Sequence, residues 1–253
     1  MRTVFVTMKR PGACWMIPFK DTVPVHHTPW VTWGLIALNV VVFLEGQLLD
    51  PDELRSFQYL HGLVAARYVF PDWAITAGFP VDYTPFLTNM FLHGGWLHLI
   101  FNMWLLWIFG DNIEDRMGKV RYLAFYVLCG LSAGMAHLYA NQLSISPTIG
   151  ASGAIAGIMG AYFFLYPYAR VVISVFFLPI FVEVPAIAFL GIWVIIQMYK
   201  VTTGIGPGNS YHDVAWFGHL GGFIAGMAFY RPFLLKDRMH LGGKYHFGSG
   251  QGR

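Results

Sequence analysis

Residues 150–166 read GASGAIAGIMGAYFFLY, and no side chain in this stretch carries a charge. Glycines recur at 153, 157 and 160, spacings of four and three, which sets them on one face of a helix. Within a membrane such a stripe lets a second helix approach to backbone contact. A helix over 152–166 has 15 residues, a length of roughly 22 Å. A hydrocarbon core is about 30 Å thick, so Ser152 is expected to begin its helix below the membrane surface.

Five further apolar segments lie around this one: 30–49, 93–110, 122–139, a stretch within 171–199, and 214–233. Each is close to the length that a membrane crossing needs. The expected fold is therefore an all-α polytopic membrane protein with six transmembrane helices. Composition agrees: of 253 residues 56% are hydrophobic and only 11% charged, against roughly 25% charged in soluble domains. Aromatic residues reach 17%, as expected where rings anchor at membrane interfaces. The net charge is +3 with no basic stripe, which argues against nucleic-acid binding. Cys14 and Cys129 fall in a tail and in an apolar segment and are not expected to pair.

Six crossings put both ends on one side. Of the 16 Lys and Arg residues, only Arg55, Arg67 and Lys200 then lie on the other side. The positive-inside rule makes the Lys/Arg-rich side cytoplasmic. The first fifteen residues hold Arg2, Lys9 and Arg10 without an apolar core, so no cleavable signal is expected. The expected organisation is a cytoplasmic tail over 1–29, a six-helix domain over 30–233, and a Gly-rich, disordered cytoplasmic tail over 234–253. The outer segment 50–92 is rich in aromatics and is expected to lie in the interface.

Ionisable groups inside a membrane are costly and mark function. Here they are Glu45, His98, His137 and His219. His98 and Asn102 are four apart and share a helix face. Taken alone they are interhelical glue. Ser152 stands in Gly150-Ala151-Ser152-Gly153, one residue off the glycine stripe, so it points beside that contact. His219 stands in Gly218-His219-Leu220-Gly221-Gly222, with Gly226 one turn further on. Gly222 and Gly226 form a second close-packing pair. The fourth and sixth helices are thus built to touch, one bringing Ser152 and the other His219. By the same topology His98 and Asn102 lie at a similar depth. A serine as nucleophile with a histidine base needs this pairing. The N-terminus of the Ser152 helix offers free N–H groups to an oxyanion, and His98 and Asn102 offer more. No carboxylate is placed to orient His219, so a dyad is expected rather than a triad.

These motifs together, with Gly110-Asp111-Asn112-Ile113-Glu114-Asp115-Arg116, resemble the rhomboid family of intramembrane serine proteases over nearly the whole chain. The resemblance implies a six-helix bundle with Ser152 and His219 as catalytic dyad and His98 and Asn102 at the oxyanion. It implies substrates that are membrane-spanning helices of other proteins, and no cofactor or metal. A compact chain of this kind suits a prokaryotic plasma membrane. Two positions depart from the family: Thr84-Pro85 stands where many members have Trp-Arg, and Ala156 where many have an aromatic against the histidine. Other readings are an inactive rhomboid-like protein that binds membrane helices, a transporter, and a metalloprotease. The inactive reading is disfavoured because Ser152 and His219 are both present. The transporter lacks ionisable groups in the inner half of the spans, and the metalloprotease lacks a His-Glu-x-x-His motif.

Overall fold

The computed structural model describes residues 21–80, 82–174, 181–204 and 216–238. The outer parts of both expected tails, 1–20 and 239–253, lie outside the described residues. The long helices are α1 (Trp30–Gly46), α6 (Trp96–Met117), α7 (Lys119–Ala140), α8 (Ser152–Leu165), α9 (Ala186–Gly204) and α10 (Trp216–Phe233). Between α1 and α6 the chain makes four short helices, α2 (Pro51–His61), α3 (Ala65–Val69), α4 (Pro71–Thr76) and α5 (Pro85–Thr88). By length and composition α7 is able to cross a membrane. So is the pair Pro85–Phe91 and Trp96–Met117, counted as one span across its 94° bend. Three other helices, Trp30–Gly46, Ser152–Leu165 and Ala186–Thr202, are apolar but shorter.

The fifth apolar segment differs from expectation. Its first part forms an antiparallel hairpin of β1 (Arg170–Ser174) and β2 (Phe181–Pro185), and the helix starts only at Ala186. The run Val171-Val172-Ile173 is β-branched throughout, which favours a pleated strand over a helix. Arg170 and Glu183 close the hairpin with an ion pair of 3.2 Å.

Helix α8 is the axis of the bundle. From Ala154 to Tyr162 it is buried without interruption, and it packs against α6, α7, α9 and α10. Its contact with α10 is backbone to backbone. A Cβ added at Gly222 would collide with the carbonyl oxygen of Gly153, and one at Gly226 with that of Gly157. A Cβ at Gly160 would strike the carbonyl of Phe223. On the α7 side, a Cβ at Gly157 would strike Cys129.

The end of the bundle away from Ser152 is tied by carboxylates. Glu114 of α6 accepts from the Val31 N–H (3.0 Å), the Thr32 N–H (2.8 Å) and the Thr32 hydroxyl (2.8 Å), and so caps the first turn of α1. Asp115 takes the rings of His26 and His27 at 3.2 and 2.5 Å. Asp21 accepts from Asn112 at 2.7 Å and from the hydroxyl of Tyr162 on α8. Residues 21–29 are thereby fastened to α6 and α8 rather than trailing from the bundle.

Burial pushes the Asp21 carboxyl up to about 6, against the lowering effect of the Tyr162 bond. The folded state therefore holds this proton more tightly than the unfolded chain. Ionisation opposes folding, and the loss of stability grows as pH rises from the ordinary carboxylate range through 6. Asp21→Asn should flatten that dependence and raise stability above pH 6 by about 2–3 kcal/mol at most. Thermal midpoints in detergent at pH 5 and 7.5 check this, and equal slopes for both proteins would refute it. Gly226→Ala should lower the midpoint by several degrees, reflecting about 1–3 kcal/mol of overpacking. Gly34→Ala, where an added Cβ meets nothing within 4 Å, should not.

Candidate active site

Ser152 is the first residue of α8, and no side chain caps that helix. The first-turn N–H groups are therefore unpaired within the helix and aim past Ser152. The loop that delivers Ser152 is braced from outside. Leu63 and Thr148 exchange two backbone hydrogen bonds of 2.9 Å, and the Gly150 N–H donates to the Asn89 carbonyl at 2.8 Å. From α7, His137 Nε2 meets the Thr148 hydroxyl at 2.7 Å. The segment between α1 and α6, through Leu63 and Asn89, thus sets the position of Ser152, a role that aromatic content alone did not reveal.

Gly150 has φ +131°, a region that L side chains rarely adopt. A Cβ there would also fall 2.8 Å from His98 Nε2 and 3.6 Å from Ser152 Oγ. The bare backbone at Gly150 is what lets the His98 ring lie against this loop, next to Ser152. The Gly94 N–H points to His98 Nδ1 at 3.5 Å. With Nδ1 as acceptor, the ring's proton sits on Nε2, facing the Ser152 side. Asn102 spends one amide hydrogen on the His98 carbonyl (2.8 Å) and keeps its second for another acceptor.

His219 approaches from α10. Its Nε2 lies 2.7 Å from Ser152 Oγ, well inside hydrogen-bond reach. The other ring nitrogen, Nδ1, lies 2.8 Å from Oε1 of Gln197 on α9. Trp193, one turn before Gln197, has its ring centroid 6.0 Å from that of His219, and Trp216 stands edge-on at 5.8 Å. These three residues flank the imidazole. Gln197 carries no ionisable group and so does not stand out in the sequence as the histidines do. The signal present was a lone amide in the otherwise apolar run Ala186–Met198, one helical turn from a tryptophan.

Ser152, His219, His98 and Asn102 all line one cavity of about 480 Å³ that opens at the surface. Its walls are otherwise apolar, with Phe101, Leu105, Ile155, Met159, Trp193 and Trp216. A second, much smaller void of about 20 Å³, room for about one water, touches Ser152 and His219 and has Asn89, His137 and Thr148 in its wall. Gly222 and Gly226 make the α8–α10 contact, against the carbonyls of Gly153 and Gly157, while a Cβ at Gly153 would strike Ala133 of α7. Among the described residues no cluster of His, Cys, Asp and Glu could hold a metal ion. The rings of His93 and His98 do meet, centroids 5.0 Å apart, but without a carboxylate partner.

A serine hydroxyl on an imidazole, beside uncapped helix N–H groups, is the arrangement of a serine hydrolase. Comparison with known proteins supplies the lineage. The family model for the rhomboid domain matches residues 80–236. The chain belongs to the rhomboid family. Rhomboids are in general serine proteases that work within membranes. Among the relatives, rhomboid protein 1, mitochondrial, of Saccharomyces cerevisiae is 25% identical over 80% of this chain and 53% of its own length. The presenilin-associated rhomboid-like protein, mitochondrial, of Homo sapiens is 30% identical over 77% of this chain and 46% of its own. The RHOMBOID-like protein 5 of Arabidopsis thaliana is 27% identical over 56% of this chain and 52% of its own. The chain thus spans about half the length of the curated relatives it matches.

Gly150→Ala should leave the bundle folded but displace the His98 ring and the loop before Ser152. Labelling of Ser152 by a fluorophosphonate should slow by about tenfold or more, a loss of roughly 1.4 kcal/mol in transition-state stabilisation. Labelling at the wild-type rate would show that the glycine is not needed for this geometry.

Proposed function

We propose that this rhomboid is an intramembrane serine endopeptidase that cuts the transmembrane segments of other membrane proteins with a Ser152–His219 dyad. The observation that carries the proposal is the 2.7 Å approach of His219 Nε2 to Ser152 Oγ. It brings together two helices that the sequence separates by 67 positions. In this reading the long helices α1, α6, α7, α8, α9 and α10 are six crossings. The partition of Lys and Arg supports placing both ends on the cytoplasmic side of the membrane.

The chemistry follows from the hydrogen bonds. With Nδ1 protonated, His219 Nε2 accepts the Ser152 proton as Oγ attacks the scissile carbonyl carbon. Negative charge collects on the carbonyl oxygen. It is met by the first-turn N–H groups of α8, by His98 Nε2–H and by the second amide hydrogen of Asn102. His219 then protonates the leaving amine, the carbon–nitrogen bond breaks, and an acyl-Ser152 remains. Water, with His219 as base, hydrolyses the ester and restores the hydroxyl. The small void beside Ser152, with Asn89, His137 and Thr148 in its wall, has room for one such water. The apolar walls of the main cavity suit a segment that unwinds from a membrane helix, and no cofactor enters the scheme.

Purified protein in detergent should cleave a single-span model substrate, while Ser152→Ala and His219→Ala should not. Cleavage by Ser152→Ala would reject the nucleophile. His98→Ala and Asn102→Ala should each lower kcat by about 10²-fold or more, as for loss of one oxyanion donor, with smaller changes in KM.

A further inference from the structure

The His219 imidazole is held at both nitrogens, and only one of those contacts belongs to the dyad. The other is Gln197 Oε1, 2.8 Å from Nδ1. Gln197 is buried, in a helix whose neighbouring positions are apolar. A buried amide oxygen is retained where it has a donor to accept from, and His219 Nδ1 is the ring nitrogen placed to be that donor. Gln197 and Trp193 are four residues apart, so one face of α9 supplies both the acceptor and the indole beside the ring.

We infer that Gln197 is a positioning residue: its amide oxygen holds His219 in the Nδ1–H tautomer, so that Nε2 is free to take the Ser152 proton. This rests on the dyad reading above and deepens it. Ser152 and His219 alone leave the tautomer open, because Nε2–H would also lie 2.7 Å from the serine oxygen and would be useless as a base. An acceptor on Nδ1 removes that ambiguity, and it continues to accept when the ring becomes imidazolium during the reaction. Soluble serine hydrolases commonly give this task to a carboxylate. In an apolar bundle a carboxylate would bring a buried charge, which is expensive, whereas an amide offers the same oxygen without one. The side chain comes from α9, outside the α8–α10 contact. The catalytic geometry therefore depends on three helices, and α9 must be seated for the base to be set.

Three variants separate an acceptor from a packing role. Gln197→Met keeps volume and removes the acceptor. Gln197→Leu does so with a different shape. Gln197→Glu keeps the acceptor and adds charge. The other titratable groups near the ring, His98 and His137, are unchanged in each. Cleavage of the model substrate by Met and Leu variants should lose about 10- to 100-fold in kcat with KM within about twofold, since the unproductive tautomer blocks only the proton transfer. The Glu variant should retain kcat near the wild-type value at its own optimum. Its acidic limb should move to higher pH by about one unit, because the carboxylate favours imidazolium. Wild-type kcat in Met and Leu, or a Glu profile that overlays the wild type, would overturn the inference. Should the variants fail to fold, nitrogen-15 NMR of histidine-labelled wild-type protein in micelles still decides it. A His219 Nδ1–H form is expected, and a predominant Nε2–H form would overturn it. Cleavage that survives Ser152→Ala would instead remove the dyad reading itself, and it is scored separately from these results.

Discussion

The close approach of α8 and α10 is the constraint on which the rest depends. Both helices present glycine at the crossing, and a single methyl group at Gly222 or Gly226 would run into the opposing backbone. At that separation a serine at the head of one helix and a histidine near the head of the other meet without extending long side chains. Short side chains leave few rotamers, so the Ser152–His219 distance is set by backbone rather than by flexible reach. The same contact buries α8 on several sides, which fixes the helix whose first turn supplies unpaired N–H groups.

Several of the polar side chains at this depth have hydrogen-bond partners. His219 has Ser152 and Gln197, His137 has Thr148, and Asn102 has the His98 carbonyl. Unpaired, each would destabilise an apolar interior by about 1–3 kcal/mol. The opposite end of the bundle follows the same rule with charges: Glu114 caps α1, and Asp115 and Asp21 collect imidazoles, an amide and a phenol. The motif from Gly110 to Arg116 thus ties the chain before α1 to α6 and reaches Ser152 only through the rigidity of the bundle.

Much of this was legible along the chain. Apolar runs located α1, α7, α8 and α10 within a few residues, since hydrophobic segments bounded by charge leave little choice to the backbone; α6 runs on to Met117 and α9 begins only at Ala186. Glycine spacing identified α8 and α10 as partners, and Ser152, His98, Asn102 and His219 were named from polarity in apolar surroundings. Less legible were the contacts that depend on rotation and direction. Val171 to Ile173 read as part of a span because apolarity does not distinguish a buried strand from a helix. Gly150 read as a motif glycine, while its positive φ and the His98 ring against it appear only when the loop is folded.

The sequence by itself determined the helical, lipid-compatible character of the chain, the pair of helices that touch, and the residue types able to act as nucleophile and base. Those follow from composition and from periodicity along one dimension. The tertiary structure decided which groups complete the site. Gln197 stands 22 positions from His219 on a different helix, and its amide is like any other until α9 docks. A hydrogen bond needs both distance and direction, and neither exists until three helices have fixed their mutual rotation.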